Sequence, residues 1–137
     1  MSRSFSQHAS TFRSLSSALL HKLPAVLKIA DSGRLSCYYA PFDYINTYAR
    51  IVICGITLSF QQARISLEIA AEKLKSGSSE LEAFQAAKAT ASFAGSKRNN
   101  LIRMLDYCGV NKQLEISSCS ELYDARRELP CFKIGIY

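Results

Sequence analysis

Histidine is scarce in this 137-residue sequence, with only His8 and His21, both near the N-terminus, and its five cysteines include no Cys-x-x-Cys pair. So thin a supply of ligands argues against a zinc site and against a Cys–His nucleophile, and no metal or cofactor is expected. Long apolar runs are missing as well. The longest uncharged apolar stretch is 51–60, about half of the roughly 20 residues that a membrane-spanning helix needs, so no membrane partner is expected. Cys37, Cys54, Cys108, Cys119 and Cys131 are an odd number, with no secretory leader before them. Reduced, buried thiols in a cytoplasmic setting are the expectation.

Acidic residues are absent from positions 1–30, which are rich in Ser and carry Arg3, Arg13, Lys22 and Lys28. An organellar transit peptide has this composition. The competing reading, carried forward here, is a structural first helix, because Phe12, Leu15, Leu19 and Leu20 recur at helical spacing before Pro24 punctuates the run.

What the sequence does contain is ordinary globular material, 48% apolar and 20% charged, in a length suited to one domain that buries about two-thirds of its unfolded surface. Its net charge of +6 favours a polyanionic partner, since phosphates bind Lys and Arg with release of counterions. A basic surface that merely keeps the protein soluble would carry the same charge.

Asp31, Ser32 and Gly33 read as a turn, and 37–42 as a short extended segment whose Pro41 keeps it out of a central strand. Ile51, Val52, Ile53, Cys54 and Ile56 run without polar alternation, the pattern of a strand buried on both faces of a parallel sheet. Ser59 and Gln62 then form a capping box that opens a helix over 60–75, ended by Gly77. A second box, Ser79 with Glu82, opens an alanine-rich helix to Ala91. Ser96 opens a third, whose Leu101, Met104, Leu105 and Cys108 form an apolar stripe before Gly109. Phe132, Ile134 and Ile136 alternate as a strand. The reading is α/β, helix-rich with a short parallel sheet, as if it were the opening half of a larger one.

The carboxyl end of a parallel strand, where the next helix begins, is where open α/β sheets place ligands. Here that turn is Gly55, Ile56, Thr57, Leu58 and Ser59: Gly55 admits close approach, Thr57 offers a hydroxyl and Ser59 caps the helix. Farther on, Phe93, Gly95, Lys97, Arg98 and Asn99 gather an aromatic, a glycine and cations at a helix start, which suits base stacking with phosphate contact. Residues 92–112 carry a net +3, from Lys97, Arg98, Arg103 and Lys112 against Asp106. Each segment also has a plain structural reading, as a ligand-free strand–helix turn and as a buried Phe93 beside a solvated basic face.

Taken together the two segments resemble the uracil-DNA glycosylase superfamily. Its first motif, of the type G-x-[DNA]-P-[GY], corresponds to 55–59, and its P-F-x-G-x-x-G-x-L-L-x-x-[ML]-L segment corresponds to Phe93, Ala94 and Gly95 followed by Leu101, Ile102, Arg103, Met104 and Leu105. The segment 38–42 is similar to bacterial members whose first motif reads G-I-T-P-G. The resemblance implies an incomplete three-layer uracil-DNA-glycosylase-like fold in a single domain, 1–137, with an N-terminal helical region (1–31), a glycosylase-like region (38–123) and a divergent tail (124–137). It also implies hydrolysis of an N-glycosidic bond by base flipping, in DNA base-excision repair. Phe93 would stack on the base, Gly55, Ile56 and Gly95 would contact it, Thr57 would hold the catalytic position, and Ser59, Lys97, Arg98 and Asn99 would meet the nucleic-acid backbone.

Three departures weaken that implication. Leu58 and Ser59 stand where the superfamily has Pro-Gly, and Thr57 stands where active members place an Asp or Asn. No H-P-S-like second motif follows before residue 137, which reads as a truncation or a degenerate tail. Weak or absent cleavage is therefore expected, because a hydroxyl with no neighbouring base activates water poorly. The alternative is a non-catalytic basic nucleic-acid-binding module.

Overall fold

The computed structural model describes residues 9–15, 22–47, 51–124 and 132–136. Helix α1 (Ala9–Ser14) turns Phe12 fully inward. Leu19 and Leu20, read as continuing it, lie outside the described residues. A 3-10 turn (Ala25–Leu27) leads into β1 (Lys28–Asp31), which pairs antiparallel with β2 (Ser36–Tyr38). The expected turn joins them: the Asp31 carboxylate accepts from the Gly33 N–H at 2.8 Å, and Gly33 takes the left-handed φ of +77° that glycine tolerates. Strand β1 itself was not foreseen, since Lys28, Ile29, Ala30 and Asp31 are all exposed and give no alternating signal.

Strand β3 (Ile51–Gly55) and helix α2 (Phe60–Lys75) form the expected strand–turn–helix unit. Strand β4 (Phe132–Ile136) pairs parallel with β3, setting Ile53 opposite Ile134 and Gly55 opposite Ile136. The expectation that β3 is buried on both faces is corrected: it alternates half-buried with exposed positions, and Val52 is 49% exposed. Burial of both faces requires helices on both sides of a sheet. Among the described residues the helices pack chiefly on one another.

Their packing follows from small side chains. Helix α3 (Glu80–Ala91) follows α2 after a short connection, and each helix starts with a complete capping box, Ser59 with Gln62 and Ser79 with Glu82. Ala83, Ala87 and Ala91 make a fully buried ridge at every fourth residue of α3, while α2 buries Ala63, Leu67, Ala70, Ala71 and Leu74. Alanine ridges let the two backbones approach closely. Phe12, Leu27, Tyr39, Leu67, Leu74, Ala83 and Phe84 form the apolar core, which thus lies between α1, the α2–α3 pair and the foot of the β-hairpin. Lys88 is almost buried, and its ammonium donates to the carbonyls of Phe42 (3.2 Å) and Tyr44 (2.6 Å), tying the segment before β3 onto α3.

Helix α4 (Ser96–Tyr107), short helix α5 (Val110–Gln113) and a 3-10 helix (Cys119–Tyr123) complete the described chain. The expected apolar stripe of α4 is not a core face: no residue of α4 is buried, and Met104 is 57% exposed. The cysteines depart similarly. Cys37, Cys54, Cys108 and Cys119 are free thiols, yet among the described residues only Cys119 is buried, and Cys131 lies outside them. The architecture is mixed α/β, and no helix among the described residues is long and apolar enough to cross a membrane.

A helical core with a lightly covered strand makes a quantitative contrast. Leu67→Ala should lower the unfolding free energy by about 2–5 kcal/mol, and Val52→Ala by less than about 1 kcal/mol, as read from urea titrations. Equal losses would restore β3 to the core.

Candidate functional site

The turn after β3 is open to solvent. Ile56 is 95% exposed, and the exposed Thr57 hydroxyl donates to the Leu58 carbonyl at 3.0 Å. No carboxylate or imidazole among the described residues is bonded to it. Ser59 is committed elsewhere: its hydroxyl accepts from the Gln62 N–H at 3.3 Å while its own N–H donates to Gln62 Oε1 at 3.0 Å. In the first turn of α2, which Ser59 caps, the N–H groups of Phe60 and Gln61 have no acceptor among the described residues. Free N–H groups at a helix start, reinforced by the helix dipole, attract anions.

The second segment links α3 to α4 in four residues, 92–95, and its backbone is unusual. Phe93 is half-buried at φ +53°, a left-handed conformation that bulky residues rarely adopt. Gly95 caps α4 at φ 84°, ψ −152°, a region open essentially to glycine alone. A β-carbon on Gly95 would stand 3.7 Å from Gln61 Oε1 and 3.8 Å from its Nε2. The first turn of α2, two residues beyond the 55–59 turn, thus lies beside the start of α4 through the Gln61 side chain.

Arg98 explains how the loop is held. Its Nε donates to the Ser92 carbonyl at 3.1 Å, and its Nη2 to the carbonyls of Ala89 (3.1 Å), Thr90 (2.6 Å) and Ser92 (2.6 Å). The Ala89 and Thr90 carbonyls belong to the last turn of α3 and the Ser92 carbonyl to its C-cap, where helical partners run out, and a cation there also opposes the negative end of the helix dipole. The guanidinium lies 4.4 Å from the centre of the Tyr123 ring, within cation–π range. Half-burial draws its pKa below the usual arginine value, partly opposed by Tyr123. Arg98, expected to contact phosphate, is therefore turned inward as a clamp, whereas Lys97 and Asn99 stand exposed at the start of α4.

Below the clamp, Asp106 accepts from the Ser118 hydroxyl at 2.8 Å and from the Cys119 N–H at 2.7 Å, anchoring the 3-10 helix that carries Tyr123. Those bonds, the Cys119 amide first, hold its carboxyl below the ordinary range. Sequence reading missed Gln61, Asp106 and Tyr123. Only the Asp106 partner had a local trace, the Ser118–Glu121 capping box of the segment it anchors.

Burial, followed by the Asp106 carboxylate, pushes the Cys119 thiol from 9.0 up to about 12, and burial pushes the Tyr123 hydroxyl from 10.0 up to about 12. Both groups keep their protons in the folded chain at a pH where the unfolded chain has released them. Stability from this source is therefore full below pH 9 and falls as pH rises toward 12. Denaturant titrations across that window should show a decline that Cys119→Ser flattens; an unchanged decline would place the alkaline sensitivity elsewhere.

The chain is 36% identical over 121 residues to YoxB, an uncharacterized protein of Bacillus subtilis (strain 168), in an alignment covering 80% of this chain and 47% of that protein. The chain spans about half the length of this curated relative. No family model matches it, and no solved structure does.

Proposed function

We propose that this chain is a uracil-DNA-glycosylase-like module that binds single-stranded nucleic acid at the meeting of the 55–59 turn and the 93–95 loop, and cleaves the glycosidic bond weakly or not at all. The observation that carries the reading is the juxtaposition at Gly95, which lies against Gln61. Through Gln61, the helix start that follows the 55–59 turn comes beside the 93–95 loop, which supports placing the two resembling stretches on one surface. Under this reading the fold is an incomplete three-layer glycosylase-like one, with the β3–β4 pair as its short parallel sheet.

Each part has a physical role. Phe93, fixed by a strained backbone, offers its ring to a flipped base; Gly55, Ile56 and Gly95 supply backbone that a base can approach. The N–H groups at the starts of α2 and α4, together with Lys97 and Asn99, take the phosphates. Catalysis would rest on Thr57. Cleavage needs a group that orients water and another that stabilises the departing anion, and the Thr57 hydroxyl, bonded to a carbonyl, supplies neither strongly. A purely non-catalytic basic module would use the same surface and differ only in releasing no free uracil.

Fluorescence anisotropy with a uracil-containing single strand, repeated across salt concentrations, tests the reading. Lys97→Ala should reduce the salt slope by about 0.7 per lost phosphate contact and leave the melting temperature unchanged. Arg98→Ala should instead lower the melting temperature. Wild-type protein is expected to leave the strand's uracil in place. A salt slope unmoved by Lys97→Ala would remove the phosphate face, and uracil release that depends on Phe93 would overturn the expectation of weak chemistry.

A further inference from the structure

The outer face of α4 beyond Asn99 plays no part in that reading, and it has a chemistry of its own. Asn100, Arg103, Met104 and Tyr107 fall at i, i+3, i+4 and i+7, one stripe of a helix. With Asp106 they line a shallow trough of about 550 Å³. Tyr107 is 92% exposed and Met104 57% exposed, so an aromatic ring and a thioether lie side by side in water. The Asp106 carboxylate is held by Ser118 and Cys119, while the exposed Lys97, Arg103 and Lys112 give the helix and its continuation a positive outer surface.

We propose that this face is a track for the nucleic-acid strand flanking the nucleotide held at Phe93, with Tyr107 as a second stacking ring. The inference rests on the proposed reading of the 93–95 loop and extends it. Tyr107 lies ten residues beyond Lys97, about 15 Å along the helix axis, so a strand entering at the start of α4 passes Asn100 and Arg103 before reaching the ring. Single-strand binders combine cations that follow the backbone with aromatic rings on which successive bases stack. An amphipathic peptide would want an unbroken apolar stripe at this spacing, whereas Asn100 and Arg103 interrupt it with groups suited to sugar and phosphate.

The sequence has no tryptophan, so tyrosine emission is readable directly, and stacking of a base on Tyr107 should quench it. Two probes separate the claims: a uracil-containing trinucleotide, which fills only the Phe93 loop, and a long oligothymidylate, which also reaches Tyr107. Tyr107→Ala should weaken the long probe about tenfold, abolish part of the quenching and leave trinucleotide binding unchanged. Tyr107→Phe, which keeps the ring, should retain the affinity. An exposed residue should not alter the melt, which checks the fold. If Tyr107→Ala binds the long probe as wild type does, the track is overturned while the base-binding reading stands; if wild type binds neither probe, both fall. Sedimentation gives the remaining outcome: a wild-type dimer that Tyr107→Ala converts to monomer, with nucleic-acid binding unmoved, makes this face a self-association surface and overturns the track.

Discussion

The Arg98 guanidinium is the constraint on which the candidate site depends. It gathers the carbonyls of Ala89, Thr90 and Ser92 at the end of α3 and stacks on Tyr123, so the exit of one helix and the entry of the next are fixed by a single planar group. A forked donor suits this position because several carbonyls converge on it, which a lysine's compact ammonium would not match. With α3 and α4 held at that angle, the four residues between them have little freedom. Phe93 is forced to positive φ and Gly95 to a conformation that no other residue adopts comfortably. Strain of this kind, about 1–3 kcal/mol per residue, persists only where its surroundings over-determine it.

The rest of the fold brings the partner segment to that loop. The alanine ridge of α3 seats α2 close beside it, and Lys88 draws the chain before β3 onto the same helix through the Phe42 and Tyr44 carbonyls. The start of α2 therefore arrives with Gln61 against Gly95. Two helix N-termini on one surface add their partial positive charges, in a chain whose net charge is already +6. The strand that delivers the turn is lightly covered, so the turn stands in solvent rather than at the bottom of a cleft.

Local devices were legible in the sequence and distant ones were not. The capping boxes of Ser59 and Ser79 fixed two helix starts because donor and acceptor lie three residues apart. Gly95 and Phe93 could be singled out from their spacing to the apolar run at 101–105. Arg98 and Lys97 are neighbours of identical charge, however, and nothing local distinguishes the one that turns inward. That choice depends on carbonyls at the end of another helix and on a tyrosine 25 positions along the chain. The apolar run of β3 misled for a related reason: such a run reads the same whether or not helices cover it. Its half-exposure follows from α2 and α3 burying their faces against each other. The apolar stripe of α4 was visible as a pattern, yet it is covered only in part, with Leu101 and Leu105 half-buried and Met104 and Cys108 exposed.

Amide chemical-shift mapping during titration with a uracil-containing single strand tests the central claim most directly. The account predicts that the largest shifts fall on Gly55, Ile56, Phe60 and Gln61 at one segment and on Phe93, Gly95, Ser96 and Lys97 at the other, saturating together with one affinity. Shifts confined to the β1–β2 hairpin or to α1, or two segments that saturate independently, would contradict it.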